Sequence, residues 1–374
     1  MKVLAIAHVA QSHVLQSPDA IRVLQGMGAS ITFASGRDGW VERLPPGSSF
    51  RELPLERQIR PRRLPSALLA LRSLLKEPWD LVVLQTPVAA ALARLAMPRH
   101  PPYRSLYIVH GFYVSKDGTL LGNLVIGAIE GLLAGRTDGI AVISTEDEAW
   151  AKRVRLHKRT RLYRLPGAGM DVGAVQRSTV QQPLPGSVAL FCGELVSKKD
   201  PVKAVAAVLE HRRIYGSDLG LLIVGDGPLS GAVESAAAPL SACGRFTLIP
   251  RSLVVPGLMK GASVVLLPSQ REGVPRVVME ALSAGTPVLC RSNRGTRELL
   301  SGFEPGLMHA DASAGDWARA MQSLLDGHGP SLEAMQARVT RYSSEAFSAA
   351  YKSMLDDLLT AEVASGRPGP VAQV

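Results

Sequence analysis

Ten short aliphatic runs, five in each half of the chain, alternate with segments of helical periodicity, and this alternation constrains the fold more than any other feature. In the first half the runs are KVLAIAHV, ASITFAS, DLVVLQT, SLYIVHG and GIAVIST; in the second they are SVALFCG, LGLLIVGDG, RFTLIPR, ASVVLLPS and TPVLCRS. Continuous Val/Ile/Leu runs bounded by Gly, Pro or Ser are characteristic of strands covered on both faces. Helices between successive strands make crossovers, which join parallel strands. At 374 residues the chain exceeds the size at which one core keeps growing. The expected fold is therefore α/β, with two doubly wound Rossmann-like domains facing each other across a cleft. Such sheets bind ligands at the C-terminal ends of their strands. The polar, Pro-bearing stretch QRSTVQQPLPGS (Gln176–Ser187) marks the expected boundary, giving domains 1–178 and 179–345. A final helix over 346–363 is expected to pack back on the first domain, and 364–374 reads as a disordered tail.

Charge divides unevenly between the halves. Residues 1–180 hold 24 Lys+Arg and 14 Asp+Glu, and the remainder of the chain holds 18 of each. The whole excess of +10 thus belongs to the first half. It concentrates in RQIRPRRLPSALLALRSLLK (Arg57–Lys76) and AKRVRLHKRTRLYRL (Ala151–Leu165). In the first of these, Leu64, Leu68, Leu71 and Leu75 recur at helical spacing behind a basic face. That pattern fits a helix lying on an anionic membrane, or equally a surface helix burying its leucines in its own domain. Nucleic acid is a poorer match, because no aromatics interleave the arginines. Three scattered cysteines without CxxC spacing argue for a reducing compartment and against a zinc or disulfide framework. MKVLAIAHVA reads as a first buried strand rather than a signal peptide, and no apolar run is long enough to span a bilayer.

The segment PSQREGVPRVVMEALSAGTPV (Pro268–Val288) carries the most chemistry. It follows a strand, and Pro275 suits the first position of a helix. Val277, Val278, Ala281 and Leu282 form the expected buried stripe, with Arg276 and Glu280 on another face. A solvated i,i+4 ion pair is the plain reading of those two. Arg preceding Glu is the weaker orientation, however, and a first-turn cation opposes the helix dipole. Arg271 and Arg276 around a helix N-terminus suit a diphosphate better than they suit stability. Glu272 and Glu280 could then accept hydrogen bonds from the hydroxyls of a nucleotide sugar. The glycine of GDGP (Gly225–Pro228) marks a turn and permits close approach of backbone to a ligand. STEDEAWAKR reads as a helix start, with Ser144 as N-cap and Asp147 three residues on. No Asp-x-Asp is present to bridge a diphosphate through metal.

The segment Pro268–Val288 resembles the E-x7-E signature of family-4 glycosyltransferases, retaining enzymes of the GT-B fold. FCGELVSKKD, LLIVGDGPL and LYRLPGAGMD are similar to further segments of that family. AHVAQSHVLQSPDAIRVLQGMGASITFAS and VHGFYVSKDG…EGLLAGRTDGIAVISTEDEAWAKR resemble its capsular and exopolysaccharide repeat-unit subgroup. About 350 residues are covered in order. The resemblance implies that Glu280 holds the ribose hydroxyls and Glu272 those of the donor sugar. Gly273 and Val274 would offer backbone N–H groups to the diphosphate, Lys199 would stabilise the leaving group, and Arg251 would follow the strand that reads the base. His110 would orient groups at the reacting carbon. Ser12, His13, Gly111 and Tyr113 are expected on the acceptor side. Gly193 and Glu194 fall in the loop where the family usually has glycine and then arginine. Glu194 departs from that pattern, so Arg271 or Arg276 is expected to supply the missing charge. Gln85 stands where the family often has histidine.

The function implied is a metal-independent, cofactor-free hexosyl- or N-acetylhexosaminyl-transferase. Its donor would be a nucleotide sugar, most simply UDP-linked, and its acceptor a glycan on a polyprenyl diphosphate. The basic first domain would dock the anionic membrane at the cytoplasmic face, with no nucleic acid involved. A non-catalytic sugar-nucleotide-binding partner and a nucleotide-sugar 2-epimerase are the alternatives.

Overall fold

The computed structural model describes residues 1–16, 18–56, 61–112, 114, 120–250 and 255–361, and the chain divides into two compact units. Unit 1 joins Met1–Gly169 to Ser344 onward, and unit 2 is the continuous stretch Met170–Ser343.

Unit 1 runs β1 (Lys2–Val9), α1 (Ala10–Gln16), α2 (Pro18–Gly26), β2 (Ser30–Gly36), β3 (Ser49–Glu52), α3 (Leu64–Leu74), β4 (Leu81–Gln85), α4 (Pro87–Ala96), β5 (Arg104–Val109), α5 (Leu120–Ala134), β6 (Gly139–Val142), α6 (Thr145–Arg153) and β7 (Arg161–Arg164). Its strands form one parallel sheet in the order β3-β2-β1-β4-β5-β6-β7. The central strands β4, β5 and β6 are buried along their whole length. Their Val/Leu/Ile content suits β geometry, and helices on both sides remove them from water. The edge strands β3 (SFRE) and β7 (RLYR) are short and polar.

The leucine stripe of α3 faces inward. Leu71 and Leu75 are fully buried, and Leu64 and Leu68 pack against the same core. Burying one such side chain contributes about 1.5–3 kcal/mol. The stripe therefore belongs to the domain core, which corrects the membrane-surface reading of this helix. Residues 57–60 of its basic lead-in lie outside the described residues.

A charged pair is built into the same unit. Arg94 on α4 is fully buried and makes a two-pronged contact with Glu130 on α5, Nη1–Oε2 2.8 Å and Nη2–Oε1 3.2 Å. Arg94 Nε donates to the Ala90 carbonyl (3.2 Å), and the guanidinium lies over the Tyr107 ring at 4.5 Å. A charge this deep needs all of these partners.

Unit 2 runs α7 (Val172–Arg177), β8 (Val188–Cys192), α8 (Pro201–Tyr215), β9 (Gly220–Val224), α9 (Ser230–Ala236), α10 (Ala238–Ala242), β10 (Phe246–Ile249), α11 (Val255–Gly261), β11 (Val264–Leu267), α12 (Arg276–Ala284), β12 (Val288–Arg291), α13 (Arg294–Leu300), β13 (Leu307–Met308), α14 (Ala314–Leu325) and α15 (Leu332–Thr340). Its parallel sheet has the order β10-β9-β8-β11-β12-β13. Helices α8 and α14 are joined by the buried His211, whose ring nitrogens bond Ser217 and Gln322, each at 2.8 Å.

The expected linker, Gln176–Ser187, is part of unit 2. Gly257 and Gly261 give α11 a bare face on which this stretch lies. A Cβ on Gly257 would come within 2.3 Å of the Thr179 carbonyl, and one on Gly261 within 2.1 Å of the Gln181 carbonyl. Gln181 N–H donates to the Gly257 carbonyl (2.9 Å) and Lys260 Nζ to that of Ser178 (2.8 Å). The division falls instead at Gly169/Met170, because a polar stretch can still dock by its backbone. The last helix, α16 (Ser344–Thr360), returns to unit 1. There it packs on α2, and Asp357 accepts from Arg161 (2.8 Å) and from the Tyr163 hydroxyl (2.5 Å), both on β7. Residues 364–374 lie outside the described residues.

Candidate active site

The strand order of unit 2 reverses between β8 and β11, which are neighbours although β9 and β10 separate them in sequence. Loops leaving the two strands run to opposite sides, and that divergence opens a binding crevice at the sheet's C-terminal edge. Lys199 lies on the loop after β8 and Glu272 on the loop after β11. Their side chains meet, Nζ–Oε1 2.5 Å, at 20% and 11% exposure. The two loops are also tied by backbone, Gln270 N–H donating to the Lys198 carbonyl (2.8 Å). Chemistry-bearing residues 73 positions apart thus converge on the switch point.

Two rows of glycines shape the floor. Gly193 N–H donates to the Val224 carbonyl (3.0 Å) and Leu195 N–H to that of Asp226 (2.9 Å). A Cβ on Gly225 would lie 1.9 Å from the Gly193 carbonyl oxygen. The close approach that Gly225 permits is therefore to the neighbouring loop, where the sequence pointed to a ligand. Glu194 is half-buried in this loop, its carbonyl accepting the Val196 N–H (3.0 Å).

Helix α12 begins at Arg276, with Pro275 as its N-cap, one residue later than the sequence suggests. Pro275 brings no side-chain cap, so the first N–H groups lack the usual side-chain acceptor. Val274 is buried, whereas Gly273 and Arg276 are half-buried and Arg271 is exposed. Arg276 Nε stands 3.9 Å from Glu280 Oε1, a loose contact. Burial raises the Glu280 carboxyl above its usual range, and Arg276 partly opposes that rise. Met279 and Ser283 join Val278, Ala281 and Leu282 in the buried stripe, and Val277 is only half-buried.

A second support was not anticipated. Asn293 caps α13 through Oδ1, which accepts from Gly295 N–H (3.1 Å) and Thr296 N–H (3.2 Å). Thr296 Oγ1 in return accepts the Asn293 N–H (2.9 Å), and Asn293 Nδ2 donates to the Ser269 carbonyl (3.0 Å). Gly295 lets this helix start press on the Glu272 loop, where a Cβ would sit 1.8 Å from the Gly273 carbonyl. The cue was legible in SNRGT, an Asn with a hydroxyl residue three positions on.

In unit 1, His110 and Gly111 follow β5. Phe112 N–H donates to Asp147 Oδ1 (3.1 Å), and the Phe112 ring meets Trp150 at 4.5 Å. Asp147 is fully buried and also accepts from Ser144 Oγ (2.7 Å), while Ser144 Oγ caps α6 by accepting Asp147 N–H (3.2 Å). The helix start therefore also holds the His110 loop, a role its sequence did not suggest. The Nε2 of His110 is buried and makes no hydrogen bond among the described residues; desolvation lowers the imidazole to about 4. Ser12 and His13 lie on α1, where His13 is fully enclosed with its ring 5.0 Å from that of Phe33. Burial lowers His13 to about 4 as well. His13 thus packs inside the domain and is not presented on its surface. Tyr113 and Arg251 lie outside the described residues.

These two imidazoles set a pH dependence. Each is neutral in the folded unit and protonates near 6.5 once unfolded. The unfolded chain therefore binds more protons between pH 6.5 and 4, so stability is complete above pH 6.5 and falls as pH drops through that window. Thermal melts from pH 7.5 to 4 should show a declining midpoint, and His13→Phe should flatten the decline.

Residues 176–345 match the family model for glycosyl transferases group 1, and residues 19–167 that for the glycosyl transferase 4-like domain. The chain belongs to the GT-B glycosyltransferases. This glycosyltransferase superposes on sucrose-phosphate synthase from Thermosynechococcus elongatus with a TM-score of 0.74, at 17% identity over 97% of this chain and 100% of that one. HepE of Anabaena, solved in complex with UDP, gives 0.73 at 15% identity, over 96% and 100% of the two chains. In sequence it is 26% identical over 267 residues to EpsD of Bacillus subtilis, assigned as a glycosyltransferase, covering 68% of this chain and 69% of that one. It is 32% identical over 155 residues to the 2-deoxystreptamine glucosyltransferase of Streptomyces kanamyceticus, covering 41% and 40%.

Proposed function

We propose that this enzyme is a family-4 retaining glycosyltransferase. It moves a hexosyl or N-acetylhexosaminyl group from a UDP-sugar to a hydroxyl of a polyprenyl-diphosphate-linked glycan, in the synthesis of a surface polysaccharide. The observation that carries the reading is the Lys199–Glu272 pair at the switch point of unit 2. HepE, whose complexes contain UDP and UDP-glucose, supports the donor, and EpsD, a glycosyltransferase by its name, supports glycosyl transfer.

Lys199 is held ready by Glu272 where a departing diphosphate gathers charge. A cation already in place needs no reorganisation at the moment of reaction. On donor binding the ammonium passes to the diphosphate, and Glu272 is released to accept hydroxyls of the sugar. Glu280 receives the ribose hydroxyls, and the start of α12 with Arg276 and Arg271 receives the phosphates, offsetting the carboxylate of Glu194. The C1–O bond to the diphosphate breaks and a C1–O bond to the acceptor forms on the same face. The acceptor proton leaves on the diphosphate. With lysine and arginine supplying the charge, no metal is required. His110, neutral and without a hydrogen bond at Nε2 among the described residues, orients groups at the reacting carbon, with Ser12 and Gly111 toward the acceptor. The enzyme works in the cytoplasm against the inner face of the cell membrane.

A panel of UDP-, GDP- and dTDP-sugars tests this reading. Slow hydrolysis of a UDP-sugar, unaffected by EDTA and releasing first the anomer of the donor, is the expected result. Arg276→Ala should weaken UDP binding by about tenfold in calorimetry, in line with one lost charged hydrogen bond. No binding of any sugar nucleotide would mean a non-catalytic partner, and free epimerised sugar nucleotide without acceptor would mean a 2-epimerase.

A further inference from the structure

Helix α5 turns an entirely apolar face to water. Leu121, Leu124, Val125, Ile129 and Leu132 recur at helical spacing, and Leu121, Leu124 and Leu132 are 73%, 62% and 75% exposed. The one carboxylate of the helix, Glu130, points the other way and is consumed by the buried Arg94. The face therefore carries no charge, whereas an exposed helical face is ordinarily polar. Fifteen residues extend only about 22 Å at 1.5 Å per residue, short of a bilayer core. No helix among the described residues is long and apolar enough to cross a membrane.

The surroundings indicate what covers this face. The basic segment Lys152–Arg159 spans the end of α6 and the turn after it, and Arg159 Nη1 donates to the Gly131 carbonyl on α5 (2.8 Å), which fixes the turn against the helix. Arg153, Arg155, Lys158 and Arg159 are exposed there with no acidic residue among them. An apolar helical face bordered by cations complements a surface that is apolar in depth and anionic on top.

We propose that α5 is an interfacial anchor. Its leucine face inserts into the acyl boundary of an anionic membrane while the Arg153–Arg159 segment meets the headgroups. The inference rests on the lipid-linked-acceptor reading only for its purpose, since neither donor binding nor transfer enters the argument. It also moves the docking element from α3, whose stripe Leu64, Leu68, Leu71 and Leu75 packs on the core, to α5.

Co-sedimentation of the full chain with vesicles of phosphatidylcholine, with and without about 30% phosphatidylglycerol, tests it. The chain should partition onto the anionic vesicles, and Leu124→Gln/Leu132→Gln and Arg153→Glu/Lys158→Glu should each reduce partitioning by at least about tenfold. Both variants should keep the wild-type melting temperature and UDP binding, because all four side chains are exposed. Loss of UDP binding with intact vesicle binding would count against the donor reading alone. Wild-type indifference to phosphatidylglycerol, or unchanged partitioning of the leucine variant, would overturn the anchor. So would a dimer in solution that the leucine variant converts to monomer without any vesicle binding, since a second copy would then cover the face.

Discussion

Lys199→Ala should lower turnover of the nucleotide sugar by roughly 10²–10³-fold, with little change in melting temperature. The two magnitudes come from different physics. In the free enzyme Lys199 and Glu272 form a partly exposed ion pair, and such pairs contribute no more than about 1 kcal/mol. Losing it should shift the melting point by only a few degrees. During transfer the same ammonium faces a leaving group whose charge grows as the bond breaks. Removing one preorganised donor from such a site costs about 10²–10³ in rate. Lys199→Arg should retain part of the activity by keeping the charge, whereas Lys199→Gln should behave like alanine. Steady-state rates and melts on the same preparations decide the matter. A Lys199→Ala enzyme within threefold of wild-type turnover would falsify the role in leaving-group departure.

The largest effect on stability is expected at Glu130. Among the described residues, Glu130→Ala leaves the buried Arg94 guanidinium with the Ala90 carbonyl and the Tyr107 ring as partners. Stranding a buried charge costs about 3–5 kcal/mol. For a unit of this size that corresponds to a melting-point drop of roughly 10 °C. The paired change Arg94→Met/Glu130→Leu should recover most of the loss, because it removes the charge along with its partner. Calorimetric melts of the single and double variants measure the coupling directly, and a single variant within about 2 °C of wild type would mean that the pair contributes little.

Much of this architecture can be read from residues alone, for identifiable reasons. Nine of the ten aliphatic runs became inner strands, because a strand covered on both faces must be apolar throughout, and the tenth, RFTLIPR, became the half-buried edge strand β10. The strands that escaped notice, β3, β7 and β13, lie at sheet edges, where SFRE, RLYR and a two-residue pair need no such pattern. The turn that carries Glu272 and the helix that carries Glu280 could be placed because both are local. The brace from Asn293 and the tether from Asp147 to Phe112 could not, since each depends on a loop brought close by the sheet. The two leucine-rich helices show the same limit. The stripe Leu64, Leu68, Leu71 and Leu75 of α3 suited a membrane or the domain core and faces the core, whereas nothing in the sequence reading anticipated the exposed apolar face of α5. Its orientation is set by Arg94, 36 residues earlier.

The route of the chain through α16 has a consequence for biosynthesis. Unit 2 is continuous in sequence and can close as soon as Ser343 has been made. Unit 1 must wait, because Asp357 supplies the partner of β7 residues synthesised nearly two hundred positions earlier. Long-range closure of this kind is slow, and the incomplete unit exposes apolar surface in the meantime. The half made first on the ribosome is thus the half finished last.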